Sequence, residues 1–222
     1  MESILRRTPD TAAGRATRAR YARWVTRIIA GRARSVRLAV PSTGTRPTSE
    51  RVREALFSSL ESWDAIAGAR VLDLYAGSGA LGLEAASRGA VSVVLVERNP
   101  KAAALCRSNA AAVQRALGGI AVPIDVSVRS VKAHLTSASS PVDLVLVDPP
   151  YDVSDDDIAA DLLAIARILS PDGVVVVERS TRSPEPRWPS GLEPVRSRAY
   201  GETTLWFAEA TSGAATGIEP GS

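Results

Sequence analysis

Val71-Leu72-Asp73-Leu74-Tyr75-Ala76-Gly77-Ser78-Gly79-Ala80-Leu81-Gly82 is the stretch whose reading decides the fold. An apolar strand ends, a glycine turn follows, and a helix begins. Outward from it, from residue 70 on, strand and helix patterns alternate. Strands are predicted at 70–74, 92–97, 120–125, 143–147 and 173–178, with helices at about 80–88, 100–116, 129–136 and 156–169. Runs such as Val93-Val94-Leu95-Val96, Leu144-Val145-Leu146-Val147 and Val174-Val175-Val176-Val177 are apolar at every position. Strands buried on both faces read this way, as in a parallel sheet covered by helices. Two last strands, near 193–200 and 203–209, meet at Tyr200-Gly201-Glu202, a link short enough for an antiparallel hairpin at the sheet edge. The expectation is an α/β, Rossmann-like sheet of seven strands, mostly parallel.

Upstream, residues 26–30 and 35–40 are short strand-like runs around Gly31-Arg32-Ala33-Arg34, a plausible hairpin. Thr45-Arg46-Pro47-Thr48 is a turn. Thr48 or Ser49 can cap a helix with Glu50 in its first turn and Val52, Ala55, Leu56, Ser59 and Leu60 on one apolar face. The chain thus divides into a basic extension (1–24) without apolar period, read as disordered, a hairpin-and-helix segment (25–69), the alternating domain (70–210) and a small polar tail (211–222). Val25-Thr26-Arg27-Ile28-Ile29 also has the look of a natural chain start.

The 222 residues, 45% of them apolar, suit one domain with modest extensions. No run of 18 apolar residues exists, and the basic N-terminus has no apolar core of a secretory signal, so a cytoplasmic protein is expected. A single cysteine, Cys106, excludes an internal disulfide. A single histidine, His134, leaves no His/Cys metal set and no His-based triad. Net charge is only +3, but ten arginines against two carboxylates give residues 1–37 a net of +8 and leave the remainder at −5. A basic arm on an acidic body suits contact with a polyanion. Arg makes up 25 of the 27 basic residues, a compositional bias that explains the choice of Arg but not its clustering.

Glycines at the end of a strand let a ligand approach the backbone closely. Glu97 lies 20 residues after Gly77, at the end of the next strand, where its carboxylate can accept both hydroxyls of a ribose. Gly77-x-Gly79-x-x-Gly82 with Glu97 also matches a dinucleotide fold, so NAD stays open on the loop alone. Asp73 favours S-adenosylmethionine: a carboxylate there would repel a pyrophosphate but suits the ammonium of a methionine moiety. A second motif, Asp148-Pro149-Pro150-Tyr151, ends the strand Leu144–Val147. Prolines lack a donor and fix φ, so they stop the strand and stiffen the turn. If the two strands are neighbours, both motifs lie at one sheet edge.

Asp148–Tyr151 resembles the [DN]-P-P-[YF] motif of amino-methyltransferases. That resemblance implies that Asp148 and the Pro149 carbonyl accept hydrogen bonds from a target amine, while Tyr151 stacks on the base. Positioning would do most of the catalytic work, and the base must be unpaired or flipped to reach the pocket. Arg27-Ile28-Ile29-Ala30-Gly31, and Arg46-Pro47-Thr48 with Val52-Arg53-Glu54-Ala55-Leu56-Phe57, are similar to the R-I-I-x-G and R-P-T-x-x-x-V-R-E-x-L-F signature. On these residues the chain, over about 26–209, resembles the RsmD family of 16S ribosomal RNA guanine-N2 methyltransferases. The resemblance implies a class I methyltransferase fold and S-adenosylmethionine held by Asp73, Tyr75, Ala76, Gly77, Ser78, Gly79, Glu97 and Arg98. It implies that Asp148, Pro149, Pro150 and Tyr151 position a guanine, with Arg27, Arg32, Arg34, Arg46, Thr48 and Arg51 on RNA. The substrate would be 16S rRNA in the 30S subunit or an assembly intermediate, met by a monomer. Where the family often has an acidic or amide residue for the cofactor's adenine, the chain has Ser130, with Asp125 as a substitute.

Several residues keep two readings. Arg46, Arg51 and Arg53 are either solvated helix charges or residues beside the cofactor cleft that contact RNA phosphates or gate the site. Glu178, at the end of the fifth strand, is a site residue or a surface carboxylate. Cys106 reads as core, His134 as a partly exposed helix residue, and Trp63, Trp188 and Trp206 as packing. Adenine-N6 methylation of DNA or RNA shares Asp-Pro-Pro-Tyr and stands as the alternative, though 222 residues leave no room for a separate target-recognition domain.

Overall fold

The computed structural model describes residues 25–40 and 49–211. Arg46 and Thr48, the extension 1–24 and the tail from 212 lie outside the described residues. A two-stranded antiparallel hairpin comes first, β1 (Val25–Arg27) and β2 (Arg37–Ala39). Helix α1 (Glu50–Ser62) follows, its N-terminus capped by Ser49 Oγ accepting from the Val52 amide at 3.2 Å. The rest alternates: β3 (Arg70–Leu74), α2 (Ala80–Ser87), β4 (Ser92–Val96), α3 (Pro100–Ala116), β5 (Ile124–Ser127), α4 (Val131–Ser137), β6 (Val142–Val147), α5 (Asp155–Ile165) and β7 (Leu169–Ser180). The chain ends in β8 (Leu192–Tyr200) and β9 (Thr203–Ala210).

The sheet runs β5-β4-β3-β6-β7-β9-β8, parallel from β5 to β7 and antiparallel at β7–β9 and β9–β8. From β3 the chain first builds outward through β4 and β5, then crosses to β6 on β3's other side. That reversal is the topological switch point, where open α/β sheets bind ligands beyond their carboxyl ends. Leu74 pairs with Val147 there, so the glycine turn and Asp148 leave adjacent strands at the same edge, as the sequence suggests.

Alternation along each strand splits the core in two. Leu72, Leu74, Val145, Val147, Val175 and Val177 pack toward α4 and α5. Val71, Leu144, Leu146, Val174 and Val176 pack toward α1, α2 and α3.

Several boundaries differ from expectation, among them β7, which runs Leu169–Ser180 rather than 173–178, and the hairpin strands, which are shorter than 26–30 and 35–40. The strand expected at 120–125 lies at Ile124–Ser127. Ile120 is exposed, and Pro123, which has no N–H for a ladder, offers only its carbonyl, to the Val93 amide. The helix expected to 169 ends at Ile165 because Leu169 already pairs with Val142.

Candidate active site

The N-terminal segment is fastened to the sheet by buried charge. Glu84 of α2 is fully buried and accepts from the Ile29 and Ala30 amides at 2.8 and 2.9 Å and from Arg88 Nε at 2.8 Å. Arg53, 1% exposed, donates to Thr26 Oγ1 at 3.1 Å and to the Arg27 carbonyl. Its Nε lies 3.8 Å from Glu84 and makes no hydrogen bond, so this contact is a charge pairing rather than a bonded bridge. Burial pulls the guanidinium below its ordinary pKa, against the raising effect of Glu84 and Glu50. Gly31 sits at φ +78, where a Cβ would fall 2.1 Å from the Ser87 carbonyl oxygen. Most of the signature upstream of the sheet is thereby explained: Arg27-Ile28-Ile29-Ala30-Gly31 and Arg53 are docking parts. Arg53 is not a solvated charge, which corrects that reading of it, and it lies in the cavity wall, beside the cleft where the other reading placed it.

A cavity of about 780 Å³ opens at the carboxyl ends of β3, β4, β6 and β7, within the ~300–1,000 Å³ usual for small-molecule sites. Asp73, Tyr75, Ala76, Gly77, Ser78, Glu97, Arg98 and Ser130 line it, as do Asp148, Pro149, Pro150 and Tyr151. Gly79 does not. Its φ is +77, and a Cβ there would meet the Leu95 side chain at 2.8 Å, so packing and backbone conformation require the glycine. Arg32, Arg34 and Arg51 are exposed outside the cavity, and Arg27 pairs with Glu50 at 3.1 Å. Sequence reasoning missed Val40, Arg129, Lys132 and Arg179 in the cavity walls.

The cofactor half is built from carboxylates. Asp73, buried at the end of β3, accepts the Gly82 amide at 2.8 Å. Burial pushes its pKa up to about 7, the charges of Asp148 and Glu97 push the same way, and the Gly82 N–H opposes them. Glu97 accepts from the Gly77 amide at 2.9 Å and the Asn99 amide at 2.7 Å. A carboxylate has about four lone-pair sites, so capacity remains for hydroxyl donors. A Cβ on Gly77 would meet nothing nearer than 3.8 Å, leaving that backbone open to a ligand. Tyr75, at φ +60, donates its hydroxyl to Asp161 at 2.6 Å and so ties the loop to α5. Cys106 lies beneath the loop, its Sγ 3.2 Å from the Gly77 carbonyl, with burial pushing its pKa up to about 12. Ser130 caps α4, accepting from the Ala133 amide at 3.2 Å. Asp125 lies outside the cavity.

Asn109, buried in α3, links the two halves of the molecule. It donates to the carbonyls of Ala39 and Ser78, each at 2.8 Å, and accepts the Ala39 amide at 2.9 Å. On the substrate side Tyr151 is 78% exposed at the rim, and the Pro150 carbonyl accepts the Val153 amide at 3.1 Å.

A parallel sheet of this strand order, with an acidic glycine-turn cleft beside a strand-ending Asp-Pro-Pro-Tyr, defines an S-adenosylmethionine-dependent methyltransferase of class I. Comparison with known proteins agrees. The family described as Conserved hypothetical protein 95 matches residues 26–209. Ribosomal RNA small subunit methyltransferase D of Escherichia coli K12 is 34% identical over 177 residues, 79% of this chain and 85% of that one. The Haemophilus influenzae protein of the same name is 33% identical over 159 residues, 71% and 80% of the two chains. Among solved structures, yhhF of Escherichia coli superposes with a TM-score of 0.73 at 28% identity, covering 84% of this chain and 98% of that one. A methyltransferase-fold structure containing S-adenosylhomocysteine shares the fold, with a TM-score of 0.58 at 17% identity, covering 79% and 54%. The chain belongs to this family, that of the RsmD methyltransferases.

Proposed function

We propose that the protein methylates the exocyclic N2 amine of one guanine in 16S ribosomal RNA, acting as a monomer in the cytoplasm on the 30S subunit or its assembly intermediate. The observation that carries the reading is the pairing of Leu74 with Val147, which brings the glycine turn and Asp148 to one cavity. Asp73 holds the cofactor's ammonium, the backbone of Gly77 and Ser78 lies along it, and Glu97 takes the ribose hydroxyls. When bound, S-adenosylmethionine supplies an electrophilic methyl on a sulfonium.

The chain's own residues prepare the nucleophile. Asp148 and the Pro149 carbonyl accept the N2 hydrogens, which draws the nitrogen lone pair out of conjugation with the ring and aims it across the cleft. Pro149 and Pro150 fix that geometry because their φ angles are locked. Tyr151, at the rim, stacks on the flipped base. Holding the two reactants in line accounts for most of the rate enhancement. Exposed Arg32, Arg34 and Arg51, with Arg27 and the basic residues before it, give the RNA backbone a positively charged approach.

Labelled S-adenosylmethionine, the protein and immature 30S particles test the reading together. Transfer to rRNA with N2-methylguanosine in the nucleoside digest supports it. N6-methyladenosine would establish the adenine alternative. Cofactor binding without transfer to rRNA would reject the substrate. Mass mapping of rRNA from cells with and without the protein locates the nucleotide.

A further inference from the structure

The register of β6 against β7 brings a second carboxylate to the substrate side. The strands pair in parallel from Leu144↔Val174 to Val147↔Val177, so Asp148 and Glu178 each stand one residue beyond the last pair. Adjacent strands are about 4.8 Å apart. Val177 packs on the α5 side and Val176 on the α1 side, so alternation turns Glu178 to the α1 side. Arg179 conforms to it: its guanidinium reaches Asp155 at 2.6 Å on the α5 side. Glu178 lines the same cavity as Asp148, together with Arg53 and Thr203.

A guanine amine placed at Asp148 has a donor beside it. The Watson–Crick edge of guanine carries N1–H next to the N2 amine, whereas adenine carries a bare N1 lone pair next to its N6 amine. One carboxylate at the amine accepts from either base. An acceptor beside it separates them, because sites built to hydrogen-bond a particular donor discriminate strongly against analogues lacking it.

We propose that Glu178 is the specificity-determining residue of the site, its carboxylate accepting the N1–H of the target guanine while Asp148 accepts from the N2 amine. The proposal rests on the guanine-N2 reading above. With adenine in the same pose, the carboxylate faces the N1 lone pair and repels it. Other contacts of Glu178 are compatible with this role, since a carboxylate offers about four lone-pair sites.

The test keeps the reacting amine and removes the N1 proton beside it. The methylated nucleotide is first mapped with the unaltered protein. Small-subunit particles are then reconstituted with 16S rRNA carrying either guanine or 2-aminopurine there; the analogue has the 2-amino group and a bare N1. The unaltered protein is expected to favour guanine in kcat/KM by about 5- to 150-fold, the worth of one good base-edge contact. Glu178→Gln, whose amide can donate to a bare N1, is expected to shrink that ratio at least tenfold or invert it. Glu178→Ala is expected to slow guanine and to speed 2-aminopurine, whose bare N1 then no longer faces a carboxylate. The analogue also lacks O6, but that loss is common to all three proteins and cancels in the comparison. Calorimetry with S-adenosylhomocysteine confirms that each variant is folded. An unchanged guanine-to-analogue ratio in both variants overturns the role of Glu178. Failure of the guanine reading itself would appear earlier, in the mapping step, as methylation of adenine or of no rRNA base.

Discussion

Glu84→Ala should loosen the N-terminal segment from the sheet, and its cost can be worked from the contacts. The substitution leaves the Ile29 and Ala30 amides without the carboxylate that accepts them at 2.8 and 2.9 Å, at about 1–3 kcal/mol for each buried orphan. It also strips Arg53, 1% exposed, of the acid 3.8 Å away, and an uncompensated buried charge costs about 3–5 kcal/mol. Arg88 loses least, because Glu61 remains 2.9 Å from it. The terms are not additive, since the segment can swing out and rehydrate its donors, so about 4–6 kcal/mol is expected rather than the sum. For a domain of this size about 1 kcal/mol corresponds to about 2–4 °C, which gives a drop in Tm of about 10–20 °C. Glu84→Gln keeps an acceptor oxygen for one amide and should lose roughly half as much. Calorimetric melting measures the drop, and hydrogen exchange locates it. A drop under about 3 °C for Glu84→Ala, or undiminished protection of the Ile29 and Ala30 amides, would refute the reasoning.

Asp148→Ala should lower kcat by about 10²–10³-fold, as expected for loss of a group aimed at the reacting centre, while S-adenosylhomocysteine affinity in calorimetry stays within about threefold. Tyr151→Ala, at a side chain 78% exposed, should leave Tm within about 2 °C. Steady-state kinetics should show it lowering kcat/KM for RNA by about 5- to 150-fold, the worth of one base-stacking contact. Asp73 should make cofactor affinity pH-dependent. Its pKa of about 7 in the free protein means that acid conditions place a proton on it, and an incoming ammonium favours the charged form. Affinity for S-adenosylhomocysteine should therefore rise with pH up to about 7 and level off above. Calorimetry at pH 6 in buffers of different ionisation heat should detect proton release approaching one per ligand, and little at pH 8. Equal proton release at both would separate Asp73 from the ammonium.

What was legible in the sequence follows from how each element is marked. β3 and β6 are mostly apolar runs followed within three residues by glycine or proline, so their ends, and with them both motifs, could be placed to within a residue. β5 is short and half-exposed, and Pro123 ahead of it blurs where pairing begins. Buried charge was the harder problem. Arg53 reads like any helix-surface arginine because its partner Glu84 lies in another helix 31 residues away. The available signal was spacing: Arg53 shares a helical face with Phe57 and Leu60, both fully buried. Asn109 carried a similar mark, falling among Cys106, Ala110 and Val113 on the apolar face of α3. The positive φ of Tyr75 left no trace, since the residue type gives no hint of it.

Asn109 also bears on why the upstream signature and the glycine turn occur together. Its amide nitrogen donates to both Ala39 and Ser78, so the end of the N-terminal hairpin and the cofactor turn share one buried side chain. Val40, next along the chain, forms part of the cavity wall, and so does Arg53. The hairpin is held on its far side by Glu84 and Ser87 of α2, the helix that the same glycine turn begins. A displacement of the hairpin would therefore pull on the turn from both ends, through Asn109 at Ser78 and through α2 behind it. The hairpin and the glycine turn are parts of one packed unit, and a change that unseats the first should disturb the second even though no residue of the hairpin strands β1 and β2 lines the cavity.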